Sequence, residues 1–163
     1  MSKIHHFEGF SVVDGDMKIK LNMDRFSRQY QEAQYLLDGM VMDSMVPFMP
    51  MISGNFVNRT RAESTSLQGT GKVCAAAAPY GRFLYEGKGM VDEATGSPYA
   101  RRGAKKVLVS QFSGQTAAKE NLEYTKQAHP QAQAKWFDAA KRQYGSTWIR
   151  KVKAQAGGGR HGG

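Results

Sequence analysis

A long amphipathic segment at residues 24–46 constrains the fold of this chain more than any other feature. Apolar side chains recur there at spacings of three and four, the period of one helix face. Asp24 is the predicted N-cap, and "PFMP" at 47–50 ends the helix because proline cannot continue it. A helix with so wide an apolar face is expected to lie buried between two layers. The stripe consists of Phe26, Tyr30, Ala33, Leu37, Val41 and Ser44, broadened by Leu36, Met40 and Met45.

A second helix is predicted in the C-terminal region, after "AHP", with Pro130 in its first turn. Most of its basic residues lie outside the apolar stripe and toward the C-terminal half, where the helix macrodipole favours cations. The stripe is predicted to supply the core of the fold. It consists of Trp136, Phe137, Ala140, Tyr144, Trp148 and Val152.

Strand-like runs lie before and between these helices. Residues 17–23, "MKIKLNM", alternate strictly between apolar and polar side chains, which predicts a half-buried strand. Shorter strands are predicted at 72–78, which is rich in alanine, at 105–112 and at 121–126. Residues 56–61 are predicted to be a short helical or extended piece. The fold class is therefore α+β: a small, mainly antiparallel sheet packed by one long helix in the N-terminal half and one C-terminal helix.

The length of 163 residues allows one compact domain and is too short for two comfortable ones. We assign the domain to residues 17–155, with an extended loop or hairpin at about 87–104. Residues 1–16 show no sustained period and are predicted to be a flexible arm, and the glycine-rich residues 156–163 a flexible tail. The sequence shows no secretory signal, and none of its apolar runs approaches the ~20 residues that a membrane span needs. We therefore expect a soluble cytosolic chain that contacts no membrane.

No catalytic, metal or cofactor site is predicted. The "GKG" at 87–89 lacks the upstream glycine of a phosphate-binding loop, and a glycine rather than Ser or Thr follows Lys88. Cys74 is the only cysteine and is expected to pack as a small apolar residue, and the four histidines are scattered. Asp92 precedes Glu93 in a loop predicted to be exposed, which predicts an ordinary pKa for Asp92. The chain is therefore expected not to be an enzyme and to use no cofactor.

The formal net charge of +9 favours an anionic partner: nucleic acid, an anionic membrane or the acidic face of another protein. Phosphate contacts require only cations, although no known DNA-binding motif frames the basic residues of this chain. A basic nucleic-acid-binding module is therefore the alternative function. A dense basic run is formed by Arg101, Arg102, Lys105 and Lys106, and Arg59, Arg61 and Arg82 add to the charge.

A resemblance to a known protein family rests on two stretches of the sequence taken together. They are "PYGRFLYEGKG" at 79–89 and "HPQAQAKWFDAAKRQYGSTWIRKV" at 129–152. The chain resembles the minor capsid, or head–tail connector, family of tailed bacteriophages. That pattern is a Pro-Tyr-Ala-Arg-Arg-like segment ending in Tyr-Glu, an Asn/His-Pro-x-Ala turn, and a Trp-Phe-x-x-Ala-Lys helix closed by a second tryptophan. The matching residues are Pro79, Tyr80, Arg82, Tyr85, Glu86, His129, Pro130, Ala132, Trp136, Phe137, Ala140, Lys141 and Trp148.

The stretch "PMISGNFVNRT" also resembles the Ser-Gly turn that follows the long helix in this family and in related tail-completion proteins. The chain departs from the family pattern at three places. Gly81 stands where alanine is expected, Phe56 stands where leucine is expected, and residues 87–112 are longer than usual.

The resemblance implies a structural virion protein of the phage neck, made in the host bacterial cytoplasm and assembled as a ring of six or twelve copies. Its implied partners are portal or adaptor proteins and tail-tube or tail-terminator proteins, with room for non-specific contact with packaged DNA. The layer of the neck, whether adaptor, stopper or tail-completion, stays open.

Aromatic and charged side chains alternate in the Pro-Tyr segment, which suits a subunit contact where aromatics anchor and charges set the register. The alternative for Tyr80 and Phe83 is that they fill the core of their own subunit beside Trp136. The candidate subunit-interface residues are Tyr80, Arg82, Phe83, Tyr85, Glu86, Arg101, Arg102, Lys105 and Lys106.

Overall fold

The computed structural model describes the backbone of residues 10–14 and 17–21, and backbone and side chains of residues 23–99 and 101–157. Four helices and four strands are present in these ranges, with short 3-10 turns at Val46–Phe48 and Val109–Gln111. In chain order the elements are β1 (Phe10–Asp14), β2 (Met17–Leu21), α1 (Asp24–Met45), α2 (Asn55–Leu67), α3 (Gly81–Glu86), β3 (Met90–Asp92), β4 (Lys106–Leu108) and α4 (Trp136–Ala156).

The two predicted long helices are α1 and α4, and they pack against each other in opposite directions. Trp148 Nε1 of α4 donates a hydrogen bond of 3.1 Å to Ser44 Oγ of α1, and Gln155 further along α4 donates one of 3.0 Å to Glu32. Met23, and not the predicted Asp24, takes the N-cap position of α1, and Asp24 is the first helical residue. An acidic side chain there still complements the helix macrodipole.

The start predicted for the second helix is wrong. The helix α4 begins at Trp136, whereas Pro130 lies in a turn. The intervening backbone is held by other parts of the chain: the N–H of Gln133 bonds to the carbonyl of Phe48 (3.0 Å), and the N–H of Lys135 to the carbonyl of Tyr85 (2.7 Å). These bonds take the amide groups that a longer helix would use.

The core lies between α1, the turn that follows it, α2 and α4. Of the predicted core residues, Trp136, Ala140 and Trp148 are buried, and Phe137 and Tyr144 are partly buried against them. The buried apolar cluster consists of Val41, Met42, Met45, Phe48, Met49, Val57, Trp136, Ala139, Ala140 and Trp148.

The α+β class is confirmed, but the described strands form two separate antiparallel pairs instead of one sheet. In the first pair Phe10 lies opposite Leu21 and Asp14 opposite Met17, so the strand predicted at 17–23 is present at Met17–Leu21. It also corrects the predicted irregular arm, because Phe10–Asp14 is a strand; residues 1–9, 15–16 and 158–163 lie outside the described residues.

The predicted strand at 72–78 is wrong. The backbone of this segment bonds to side chains of α2 and α4: the carbonyl of Cys74 accepts from Ser64 Oγ (2.8 Å), the N–H of Ala77 donates to Thr60 Oγ1 (3.2 Å), and the carbonyl of Ala75 accepts from Trp136 Nε1 (2.7 Å). The small side chains still serve close packing, since Ala77 is fully buried.

The other short runs were predicted with mixed success. Residues 121–126 form no strand, and Asn121 makes only an isolated bridge with Lys88. The run at 105–112 is a strand only at Lys106–Leu108, and the piece predicted at 56–61 belongs to the longer helix α2.

Candidate functional site

The Pro-Tyr segment forms the short helix α3, which ends where Gly87 adopts a left-handed conformation (φ 70°). Because a helix distributes successive residues around its axis, the alternating pattern of the sequence does not place all aromatics on one side. Gly81 starts this helix against the alanine-rich segment, where an added Cβ would lie 2.6 Å from the carbonyl carbon of Ala76.

Tyr85, one of the candidate interface residues, packs into the core of its own subunit. Its ring meets the indole of Trp136 edge to face, with centroids 4.9 Å apart. Burial raises the pKa of the Tyr85 hydroxyl, with smaller contributions from the charges of Asp138 and Glu86. Tyr85 therefore contributes to the core of its own subunit, the role that was the alternative for Tyr80 and Phe83, and its interface role stays a prediction.

Tyr80 lies on a different surface and is 51% exposed. Its ring lies 6.1 Å from that of Phe56, which in turn separates it from Trp136. The rings of Tyr80 and Phe56 line a hollow of about 210 Å³ together with Leu84 and Ile52. The Ile52 side chain is 91% exposed. This edge therefore presents apolar side chains to solvent.

Five candidate interface residues meet at a groove of about 500 Å³ between α3 and β4. The side chains from α3 are Arg82, Phe83 and Glu86, and Lys105 and Lys106 come from the other wall. We name this surface the basic groove. The remaining lining residues are Lys88, Met90, Val107, Leu108 and Gln111.

Cations outnumber carboxylates in the basic groove. Lys105 pairs with Glu93 (2.9 Å), and Lys88 lies 3.8 Å from Glu120. The single acidic lining residue, Glu86, is 3.9 Å from Lys135.

Arg101 and Arg102 lie in the loop between β3 and β4, beside the basic groove and not among its lining residues. Arg59 and Arg61 belong to a different surface, on α2, where they pair with Glu63 (3.6 Å) and Asp43 (3.0 Å). The structure therefore divides the basic residues that the sequence grouped together.

The loop that carries Arg101 is anchored by Asp92, which was predicted to be exposed and is only 2% exposed. Its Oδ1 accepts hydrogen bonds from the N–H groups of Ala94 (2.8 Å) and Thr95 (3.3 Å). These bonds, chiefly that from Ala94, lower the pKa of Asp92 below its ordinary value, and the positive charge of Arg101 adds to the effect. The predicted ordinary pKa is therefore wrong, because the turn encloses the carboxylate.

A second groove, of about 530 Å³, lies on the outer side of the α1–α4 pair. We name it the apolar groove. Ile149 is 58% exposed in it, and Lys141 and Lys153 are its charged members. The apolar stripes of α1 and α4 were both predicted to be core. Each stripe is wider than one partner helix can cover, and that width is the sequence signal for a partly open groove. The other lining residues are Leu37, Val41, Phe137, Gly145, Trp148 and Val152.

The described part of the chain contains no group of three or more His, Cys, Asp or Glu side chains placed to hold a metal ion. The Cys74 thiol is half-buried and donates to Glu63 Oε2 at 3.3 Å. Burial, followed by this hydrogen bond, raises the pKa of Cys74, which holds it as a thiol. None of the helices in the described ranges combines the length and apolar character that crossing a membrane requires.

Searches against protein-family models, curated proteins and solved structures found no match to this chain.

Proposed function

We propose that this protein is a structural subunit of a ring in the neck of a tailed bacteriophage, joining the head to the tail without catalysing a reaction. The observation that carries the proposal is the apolar groove, a concave surface lined almost entirely by apolar side chains, most of them buried or partly buried, with Ile149 exposed at 58%. Exposed apolar patches of this kind mark contacts with other proteins. The ordered motifs of the Pro-Tyr segment and the final helix support the choice of family.

A ring requires a heterologous contact, in which two different surfaces of identical subunits meet. The chain offers such a pair. The apolar groove lies on α1 and α4, and Ile52, the most exposed large apolar side chain of the described residues, lies on the turn before α2. We assign the contact to insertion of the Ile52 turn of one copy into the apolar groove of the next.

Native mass spectrometry of the full chain tests the ring contact. We expect a closed oligomer for the natural chain and monomers for Ile149→Asp and for Ile52→Asp, because each variant places a charge in the contact. Mixing the two variants should give heterodimers, since one intact groove then meets one intact Ile52 turn. Ala62→Asp adds the same charge to an exposed position of α2 and should leave the ring intact.

Electron microscopy of the phage particle tests the location. A ring of this protein at the neck is the expected result. Density elsewhere in the particle, or a natural chain that stays monomeric at every concentration, would contradict the proposal.

A further inference from the structure

We propose that the basic groove and the adjoining loop bind the phosphodiester backbone of a nucleic acid. This inference goes beyond the ring and does not depend on it. It begins with the charge that the fold gathers on one side of the molecule. The cations that line the groove are Arg82, Lys88, Lys105 and Lys106, and the adjoining loop adds Arg101 and Arg102.

The carboxylates on this surface do not balance the cations. Glu93 and Glu86 are already engaged by Lys105 and Lys135, at 2.9 and 3.9 Å. Within the described residues Arg82 and Arg102 form no ion pair. Guanidinium groups in this situation suit phosphate oxygens, with which they form paired hydrogen bonds.

Hydrogen bonds hold the loop to the groove and to the segment that follows β4. The Nζ of Lys106, a lining residue, donates to the carbonyl oxygen of Pro98 (3.1 Å), and the carbonyl of Gly96 accepts from Thr116 Oγ1 (2.6 Å). With Asp92 closing the turn below, the loop has a fixed base. The arginines are therefore presented on a structured support, which lowers the entropy lost on binding.

Tyr99 distinguishes nucleic acid from an acidic protein segment as the partner. Its side chain is 88% exposed and directly follows Pro98, whose carbonyl is bound to the groove through Lys106. Proteins that hold single strands combine a basic groove with aromatic side chains on which bases stack. A purely acidic peptide such as polyglutamate would satisfy the cations but has no flat group to stack on the exposed ring.

The experiment measures binding of the full chain to a short labelled single-stranded DNA and to its duplex by fluorescence anisotropy over a salt series. We expect binding at about 50 mM salt, with log K falling by about 3–5 per decade of salt. A single strand held through Tyr99 should lose roughly fivefold or more in affinity on Tyr99→Ala, and the duplex should lose little. The two substrates thereby separate stacking from phosphate contact alone, and tight binding of either one supports the proposal.

The double variant Arg82→Gln/Lys106→Gln should weaken binding to both DNAs by tenfold or more and reduce the salt slope by about 2. Arg59→Gln/Arg61→Gln removes the same charge from α2 and should leave both quantities nearly unchanged. An equal loss in the two double variants, or no binding at low salt, would overturn the proposal. A polyglutamate peptide that binds more tightly than either DNA would also overturn it, in favour of an acidic protein partner.

The monomeric Ile149→Asp chain separates this inference from the ring. It should bind DNA through the same groove, although multivalent avidity is lost. Loss of the ring with DNA binding retained would therefore leave the groove assignment intact.

Discussion

The indole Nε1 of Trp136 donates a hydrogen bond of 2.7 Å to the carbonyl oxygen of Ala75, across 61 residues of sequence. Trp136 is fully buried at the start of α4, and Ala75 lies in the alanine-rich segment that forms no strand. The bond gives a backbone carbonyl the partner that a sheet would otherwise supply. It joins the C-terminal helix to the segment that supports α3.

Trp136→Phe should lower the free energy of unfolding by about 2–4 kcal/mol, because it leaves the Ala75 carbonyl unpaired and opens a cavity. Trp148→Phe is the matched control. Its indole donates to Ser44 Oγ, and that hydroxyl keeps its own hydrogen bond to the Met40 carbonyl (2.6 Å) when the indole is removed, so a loss of only about 1–2 kcal/mol is expected. Urea denaturation of both variants measures the difference, and equal losses would contradict the role given to the Trp136–Ala75 bond.

Asp38 provides a second long-range connection, since its Oδ2 accepts from the N–H groups of Gly69 (2.8 Å) and Gly71 (3.0 Å) and so fixes the turn after α2 on α1. Asp38→Asn replaces an acceptor with a group that also donates, and should cost about 1–3 kcal/mol of unfolding free energy. Asp43→Asn, which removes an exposed partner of Arg61, should cost less than about 1 kcal/mol. If the Asp43 variant lost as much as the Asp38 variant, the turn would not depend on this carboxylate.

The two long helices could be predicted because their apolar period repeats over many turns, and α1 was placed almost to the residue. The alanine-rich segment at 72–78 could not, because its backbone partners are side chains of Thr60 and Ser64 on α2, at positions that no local pattern encodes. The start of α4 was placed too early for a similar reason: backbone bonds to Phe48 and Tyr85 hold the residues before Trp136. A predicted strand or helix does not form where backbone groups of the segment are hydrogen-bonded to distant parts of the chain.

The candidate site was predictable in its residue types and not in their grouping. The sequence identified Arg82 and the run ending at Lys106 as basic, and the fold brings Arg82, Lys105 and Lys106 to one groove. It also linked Arg59 with them, although that side chain lies on α2 beside Glu63. The apolar groove was missed because a stripe position such as Phe137 or Val152 has the same apolar side chain whether the facing surface is covered or open.

Gly81, where the phage family is expected to carry alanine, should not accept that alanine in this chain. A Cβ there would lie 2.6 and 2.9 Å from the carbonyl carbon and oxygen of Ala76, which are backbone atoms that cannot rotate away. We expect Gly81→Ala to cost about 1–3 kcal/mol of unfolding free energy. Gly145→Ala, in mid-helix with its nearest neighbour, Lys141 Cγ, at 3.8 Å, should instead stabilise by about 0.5–1 kcal/mol. Thermal or urea unfolding gives both signs, and a neutral Gly81→Ala would show that the Ala76 segment can move.

The buried carboxylate of Asp92 should make stability depend on acid pH. Its pKa is lowered in the folded state, first by the Ala94 N–H bond, so the ionised form is favoured by folding. The stabilisation is complete above the unfolded pKa of about 3.9 and is lost as the pH falls through the lower folded value. Asp92→Asn should therefore flatten the fall in unfolding free energy between about pH 5 and pH 2.

Glu123 is the matched control for this pH dependence. Its pKa is also lowered, chiefly by the hydrogen bond from Lys119, but its side chain is 81% exposed, so solvent screens the interaction. Glu123→Gln should leave the pH profile close to that of the natural chain. The measurement is urea denaturation across the pH series, and a Glu123 variant that flattened the profile as much as the Asp92 variant would show that surface ion pairs, and not the enclosed turn, set the acid stability.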